Sequence, residues 1–178
     1  MARKRKHEEP EEGPLEIAVV GDLTEQEGEL HERLLEAGEE GRCTLYFDSP
    51  GGSAYAAISL LSVITLRRLD ATGIVTGECS SAALWPLAAC RRRIVTPYSI
   101  LRFHTAKWES EENVGVEEAA EWARHFVQLE KEMDQLLAAF LGVSQQQLDS
   151  WMKPGRYVSG REFAEAGLAE LVTLAPPG

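Results

Sequence analysis

The 178-residue chain has no apolar run of membrane-spanning length, so no membrane is expected as a partner. It has three cysteines, Cys43, Cys79 and Cys90, an odd number in apolar surroundings. They predict small core residues of a reducing compartment, the cytoplasm, and exclude a disulfide framework. There is no CxxC pair and no HExxH helix, and the four histidines are scattered, so no metal is expected. No GxxxxGKS/T phosphate loop or GxGxxG fingerprint occurs, and no cofactor is expected. Positive charge is scarce: 18 Lys and Arg against 29 Asp and Glu leave a net charge of −11. That balance argues against nucleic acid as a partner. The N-terminus starts basic but lacks an apolar h-region, which argues against a secretory signal.

What is present suits one α/β domain. Residues 1–13 carry Arg3, Lys4, Arg5 and Lys6, then Glu8, Glu9, Glu11 and Glu12, with nothing apolar to bury. They predict a disordered charged tail, and residues 176–178 a frayed terminus, around a domain over 14–175. Inside it, strands are expected at 15–20, 43–47, 72–76, 93–95, 100–103 and 168–174. Helices are expected at 23–37, 54–66, 81–90, 116–140, 145–152 and 160–166, with Gly38 and Gly142 as stops. Strands alternating with helices imply parallel pairing and right-handed crossovers.

Chemistry concentrates at three strand ends. Leu45-Tyr46-Phe47 stops in Asp48-Ser49-Pro50-Gly51-Gly52-Ser53, and an Ala-rich helix follows. Paired glycines let bare backbone approach a ligand and aim N–H groups at a developing negative charge. The second junction is Gly77-Glu78-Cys79-Ser80-Ser81-Ala82-Ala83. Here Ser81 is either a helix cap or a nucleophile; by position Ser80 is the cap. The third is Ser99-Ile100-Leu101-Arg102-Phe103-His104, placing an imidazole where parallel sheets put their chemistry. His31 and His125 lie within helical segments and His7 in the tail. Backbone donors, a hydroxyl and an imidazole are the parts of a serine hydrolase.

In this order the segments resemble the proteolytic subunit of the Clp protease, ClpP, within the ClpP/crotonase-like superfamily. The resemblance runs from about Leu15 to Val172. It includes the strand–SPGG–helix element at 48–53, the nucleophile segment at 77–83, the Pro97-Tyr98-Ser99 to His104 segment, and a closing signature at 157–168. It implies an α/β fold of repeated β-β-α units in a superhelix, with parallel strands and a protruding handle helix at Glu117–Phe140. It implies a serine endopeptidase with Ser81 as nucleophile and His104 as general base. The N–H groups of Gly52 and Ala82 would form the oxyanion hole, and Gly51 and Ser53 would face substrate. The implied partners are peptide or unfolded protein, a homo- or hetero-oligomeric ring, and an ATP-dependent unfoldase.

The chain also departs from that pattern. Gly155 stands where the family carries its catalytic Asp, leaving Asp149, Glu162 and Glu165 as candidate replacements. The stretch after His104, normally glycine-rich, is Thr105-Ala106-Lys107-Trp108-Glu109-Ser110-Glu111-Glu112-Asn113. Removing a triad aspartate lowers turnover by roughly 10⁴ while nucleophile, base and oxyanion hole remain. The alternatives are an inactive ClpP-like ring subunit, a crotonase-type acyl-CoA enzyme, or a Ser-Lys peptidase using Lys107 or Lys153.

Overall fold

A computed structural model describes residues 13–109 and 113–176. Most of the charged tail, and the last two residues of the terminus expected to fray, lie outside them.

The chain runs β1 (Leu15–Asp22), α1 (Leu23–Glu36), β2 (Arg42–Gly51), α2 (Ala54–Leu66) and β3 (Asp70–Ser80). A single 3₁₀ turn, Ser81–Ala83, leads into α3 (Leu84–Ala89). Then come β4 (Arg92–Val95), β5 (Ile100–Phe103), α4 (Val116–Leu141) and α5 (Gln145–Met152). The chain closes with β6 (Arg156–Ser159), α6 (Gly160–Glu165) and β7 (Glu170–Leu171).

The main sheet has the order β1-β2-β3-β4-β7, parallel throughout. Alternation along the strands sets its buried face: Ile17 and Val19, then Cys43, Leu45 and Phe47, then Ala71 and Val75. Phe47 is fully enclosed, and truncating it to alanine would cost about 3–5 kcal/mol.

β3 is longer than its apolar stretch suggests, and its length places the site. Residues 72–75 pair with β4, whereas residues 78–80 pair with β5. The strand does not stop at Gly77. A Cβ there would lie 2.4 Å from Asp48 Oδ1, the atom that accepts the Glu78 N–H at 3.0 Å. Gly77 therefore serves close packing, and the strand runs on to deliver Ser81.

Three further expectations are corrected. The segment 81–90 is a 3₁₀ turn followed by a short helix. The last strand shrinks to two residues, with Val172 bonding back to Val95. β6 was not anticipated; it pairs antiparallel with β5, setting Arg156 opposite Phe103.

The helix ends follow sequence chemistry. Asp22 caps α1, Ser53 caps α2, Ser144 caps α5 and Ser159 caps α6, each accepting a first-turn N–H. The long α4 is divided. Met133, Asp134, Leu137, Ala138 and Leu141 are buried against α3 and α5, while Val116 and Val127 are 88% and 71% exposed. No helix among the described residues is long and apolar enough to cross a membrane.

Candidate active site

β2 ends with its polar groups committed. Ser49 is fully buried, donates to Gly21 O at 2.6 Å and accepts from Gly51 N at 3.2 Å. Gly51 then takes φ +109°, a conformation open to glycine. A Cβ on it would lie 2.7 Å from Ser81 Cβ, 2.8 Å from Ser80 O and 3.0 Å from Ala82 N. The β2 turn is thus pressed against the Ser80–Ala82 backbone, and only a bare α-carbon fits between them.

Ser81 itself has φ +52°. A left-handed serine costs roughly 1–3 kcal/mol, and such strain concentrates at functional sites. It follows directly on the end of β3 and begins the 3₁₀ turn, which throws its side chain out at a strand-to-helix elbow. Ser80 occupies the cap position but makes no capping bond; its hydroxyl donates back to Glu78 Oε1. Cys79, two residues before Ser81, is fully buried, and burial pushes its thiol pKa well up. A thiol buried in this way is held protonated and inert.

His104 follows directly on β5. It is half-buried, and its Nδ1 lies 2.7 Å from the carbonyl oxygen of Thr105. A carbonyl only accepts, so Nδ1 carries the hydrogen and Nε2 keeps a lone pair. Gly155 stands beside this residue: a Cβ there would be 3.4 Å from His104 Cβ.

A cavity of about 440 Å³ gathers these parts. Gly52, Ser53, Ser81, Ala82 and His104 all line it. Gly51 does not; it lies behind, holding the two turns together. The hydroxyl of Ser53 accepts the Tyr55 N–H at 3.1 Å, so it serves α2 as well as the cavity wall. Ser81 and His104 share the cavity without a hydrogen bond between them, and such bonds often tighten only with substrate in place.

Of the candidate replacement acids, none lines the cavity. Asp149 accepts from Gln145 and lies 4.0 Å from Lys153; Glu162 pairs with Arg156 at 2.5 Å; Glu165 is exposed. Lys107 is exposed on the cavity rim, and Lys153 faces Asp149. His31 bridges α1 to Ser59 of α2, and His125 meets the Tyr55 hydroxyl at 3.0 Å.

Sequence reasoning did not anticipate the far wall. Trp85, Met133, Asp134 and Met152 are buried there, with the Trp85 indole N–H donating to Met133 O at 3.0 Å. Trp108 stacks flat on Phe126 of α4, centroids 4.0 Å apart, and folds the segment after His104 across one side.

A family model described as Clp protease matches residues 29–175. The chain is 28% identical over 130 residues to an ATP-dependent Clp protease proteolytic subunit of Ostreococcus tauri, covering 72% of this chain and 64% of that protein. It is 24% identical over 132 residues to the like-named subunit of Chlorella vulgaris, covering 73% and 65%. The match thus spans slightly under two thirds of those relatives' length. Among solved structures, a ClpP1 point mutant from Listeria monocytogenes superposes with a TM-score of 0.77 at 17% identity, covering 90% of this chain and 92% of that one. That likeness establishes the ClpP-like α/β fold, including its parallel-dominated sheet and long helix.

Proposed function

The chain belongs to the Clp protease family, and from that premise we propose that it is a serine endopeptidase acting through a Ser81 acyl-enzyme. The observation that carries the reading is the left-handed backbone of Ser81, wedged against Gly51 and opening into the same cavity as His104. In this reading Ser81 Oγ attacks the scissile carbonyl carbon and His104 Nε2 takes its proton. The carbonyl oxygen becomes an oxyanion against the N–H groups of Gly52 and Ala82. When the C–N bond breaks, the departing amine takes the proton from His104. Water, deprotonated by the same imidazole, then hydrolyses the ester and frees Ser81.

The proton inventory is supported without the family's acid. A triad carboxylate fixes the tautomer and stabilises the imidazolium. The Thr105 carbonyl fixes the tautomer, holding hydrogen on Nδ1, but brings no full negative charge. The expected outcome is a slow Ser-His dyad. Peptides or unfolded chains are the substrates, in an oligomeric ring with the exposed first two thirds of α4 at a subunit interface and an ATP-dependent unfoldase as feeder.

A second reading, a ring subunit that does not cut, draws on Gly155: no carboxylate stands beside His104 where one would sit. One experiment separates the two. A fluorophosphonate probe, followed by intact mass, is expected to add one adduct to the native chain and none to Ser81→Ala. Undiminished labelling of Ser81→Ala would end the Ser81 assignment; an unlabelled native chain would favour the non-cutting subunit.

A further inference from the structure

Asp134 is out of place on α4. Residues 134, 137, 138 and 141 share the inward stripe of the helix, and the other three are Leu, Ala and Leu. As a residue it is 7% exposed, and its carboxylate has neither hydrogen-bond donor nor ion-pair partner among the described residues. Buried charges are ordinarily paired, because taking an ion out of water is costly. This one lines the cavity that contains Ser81 and His104. It also borders a shallower groove between α4 and α5, where Lys153 faces Asp149. Burial, with Glu130 and Asp149 nearby, raises its pKa to about 6, against the weaker opposing pull of Lys153.

The rest of the cavity fits the same missing counter-charge. Its carboxylates are Glu109, Glu130 and Asp134, and its one ammonium is Lys107, exposed on the rim. Beside Asp134 lie Trp85, Met133 and Met152, an apolar wall for an aliphatic stem. A carboxylate in the lining of a cavity with an apolar wall matches a lysine or arginine side chain, stem along the wall and charged head at the acid.

We propose that Asp134 makes this cavity a specificity pocket for a cationic side chain, so that peptides are bound and cut next to lysine or arginine. The cutting half of this statement rests on the serine-peptidase reading; the binding half stands on the cavity alone.

The test uses the full chain and two peptidyl diphenyl phosphonates that differ only in an arginine-like or leucine-like side chain. Each would phosphonylate Ser81 Oγ, expelling phenoxide as His104 takes the hydroxyl proton. The ratio of their capture rates cancels general changes in nucleophile reactivity. The native chain is expected to prefer the arginine-like probe, and Asp134→Asn to lower that preference by at least about thirtyfold, the smaller end of what losing a buried charge partner costs. Equal or faster capture of the leucine-like probe by the native chain, or an unchanged ratio in Asp134→Asn, would overturn the proposal. If neither probe reacts, the peptidase reading has failed, and fluorescence of 4-aminobenzamidine then decides the pocket. Binding by the native chain that Asp134→Asn abolishes would sustain the cation site; no binding by the native chain would refute it.

Discussion

Gly155 stands against His104, its missing Cβ projecting to 3.4 Å from the His104 Cβ and 3.5 Å from Phe103 O. The position next to the stem of His104 thus offers no side chain, and the ring's Nδ1 turns to its own neighbour, Thr105 O. An orienting group supplied by the backbone cannot be removed by a side-chain substitution. That concentrates the testable chemistry on the imidazole, the turn that holds Ser81, and Gly155.

His104→Ala is expected to lower the fluorophosphonate labelling rate by roughly 10²–10⁴, the usual contribution of a positioned general base. The ring is half-buried and its one bond is to the adjacent residue, so the melting temperature should move by no more than a few degrees. Labelling kinetics with a parallel thermal melt check both. A large fall in melting temperature would make His104 a structural residue.

Gly51→Ala should disable the site through the backbone. The added methyl would sit 2.7 Å from Ser81 Cβ and 2.8 Å from Ser80 O, at a φ of +109° that L-residues rarely adopt. Backbone strain of about 1–3 kcal/mol, before any clash, corresponds to a melting temperature lower by roughly 3–10 °C in a domain of this size. Loss of labelling is expected even at temperatures where the variant remains folded. Calorimetry and labelling at 10 °C would check this; a variant with native stability and native labelling would show that the two turns are not pressed together.

Asp134 gives a pH dependence of known sign. Its pKa is raised from 3.8 to about 6, so between those values the native state holds a proton that the unfolded chain has released. Stability from this group therefore falls as pH rises from about 4 to about 6, and the penalty persists above. The titratable groups around it are Glu130 on its own helix, Asp149 and Lys153 from the α5 side, and Lys107, Glu109 and His104 around the cavity. Asp134→Asn should be more stable than the native chain at pH 8, with the difference shrinking toward pH 4. Urea unfolding at both pH values measures it, and a gap that widens on acidification would contradict the sign.

The strand–turn–helix order was legible because glycine pairs, a strand-end histidine and capping serines are local signals. The α2, β5 and α5 boundaries expected from the sequence match those observed. What stayed hidden was set by distant partners. β3 runs past Gly77 because Asp48 and β5 receive it, and neither is visible in the 70–80 segment. β6 offers one buried side chain, Val158, too little for an alternating pattern. Leu137, within the segment that the resemblance implies to be a protruding handle, is buried at 0% exposure. Asp134 did leave a signal: an acid three, four and seven residues before Leu137, Ala138 and Leu141, on what periodicity marks as an apolar stripe.

The first two thirds of α4 carry exposed Val116 and Val127. Covering such a face needs another molecule, and in this family reading it is a second copy. Light scattering at micromolar concentration should give a multiple of 19.7 kDa. Val127→Glu, at 71% exposure in the single chain, should lower that mass without lowering the monomer's helix content. A monomeric native chain across ordinary salt would defeat the expectation.

Gly155→Asp is the reconstruction experiment. The carboxylate would enter beside His104 with its Cβ at ordinary contact distance from the ring's own Cβ, so space is available. The backbone is the obstacle: Gly155 has φ +116°, where an L-residue is strained, although Asp tolerates positive φ better than most. A loss of about 1–3 kcal/mol in stability is expected from that strain. Against it, a full negative charge near Nδ1–H would stabilise the imidazolium that the Thr105 carbonyl leaves poorly compensated. The labelling rate should therefore rise as stability falls. A folded variant with an unchanged or slower rate would mean either that Thr105 already supplies all the orientation His104 can use, or that the imidazole is not the base. The His104→Ala measurement separates these outcomes, since only in the second would removing the ring leave the native labelling rate intact.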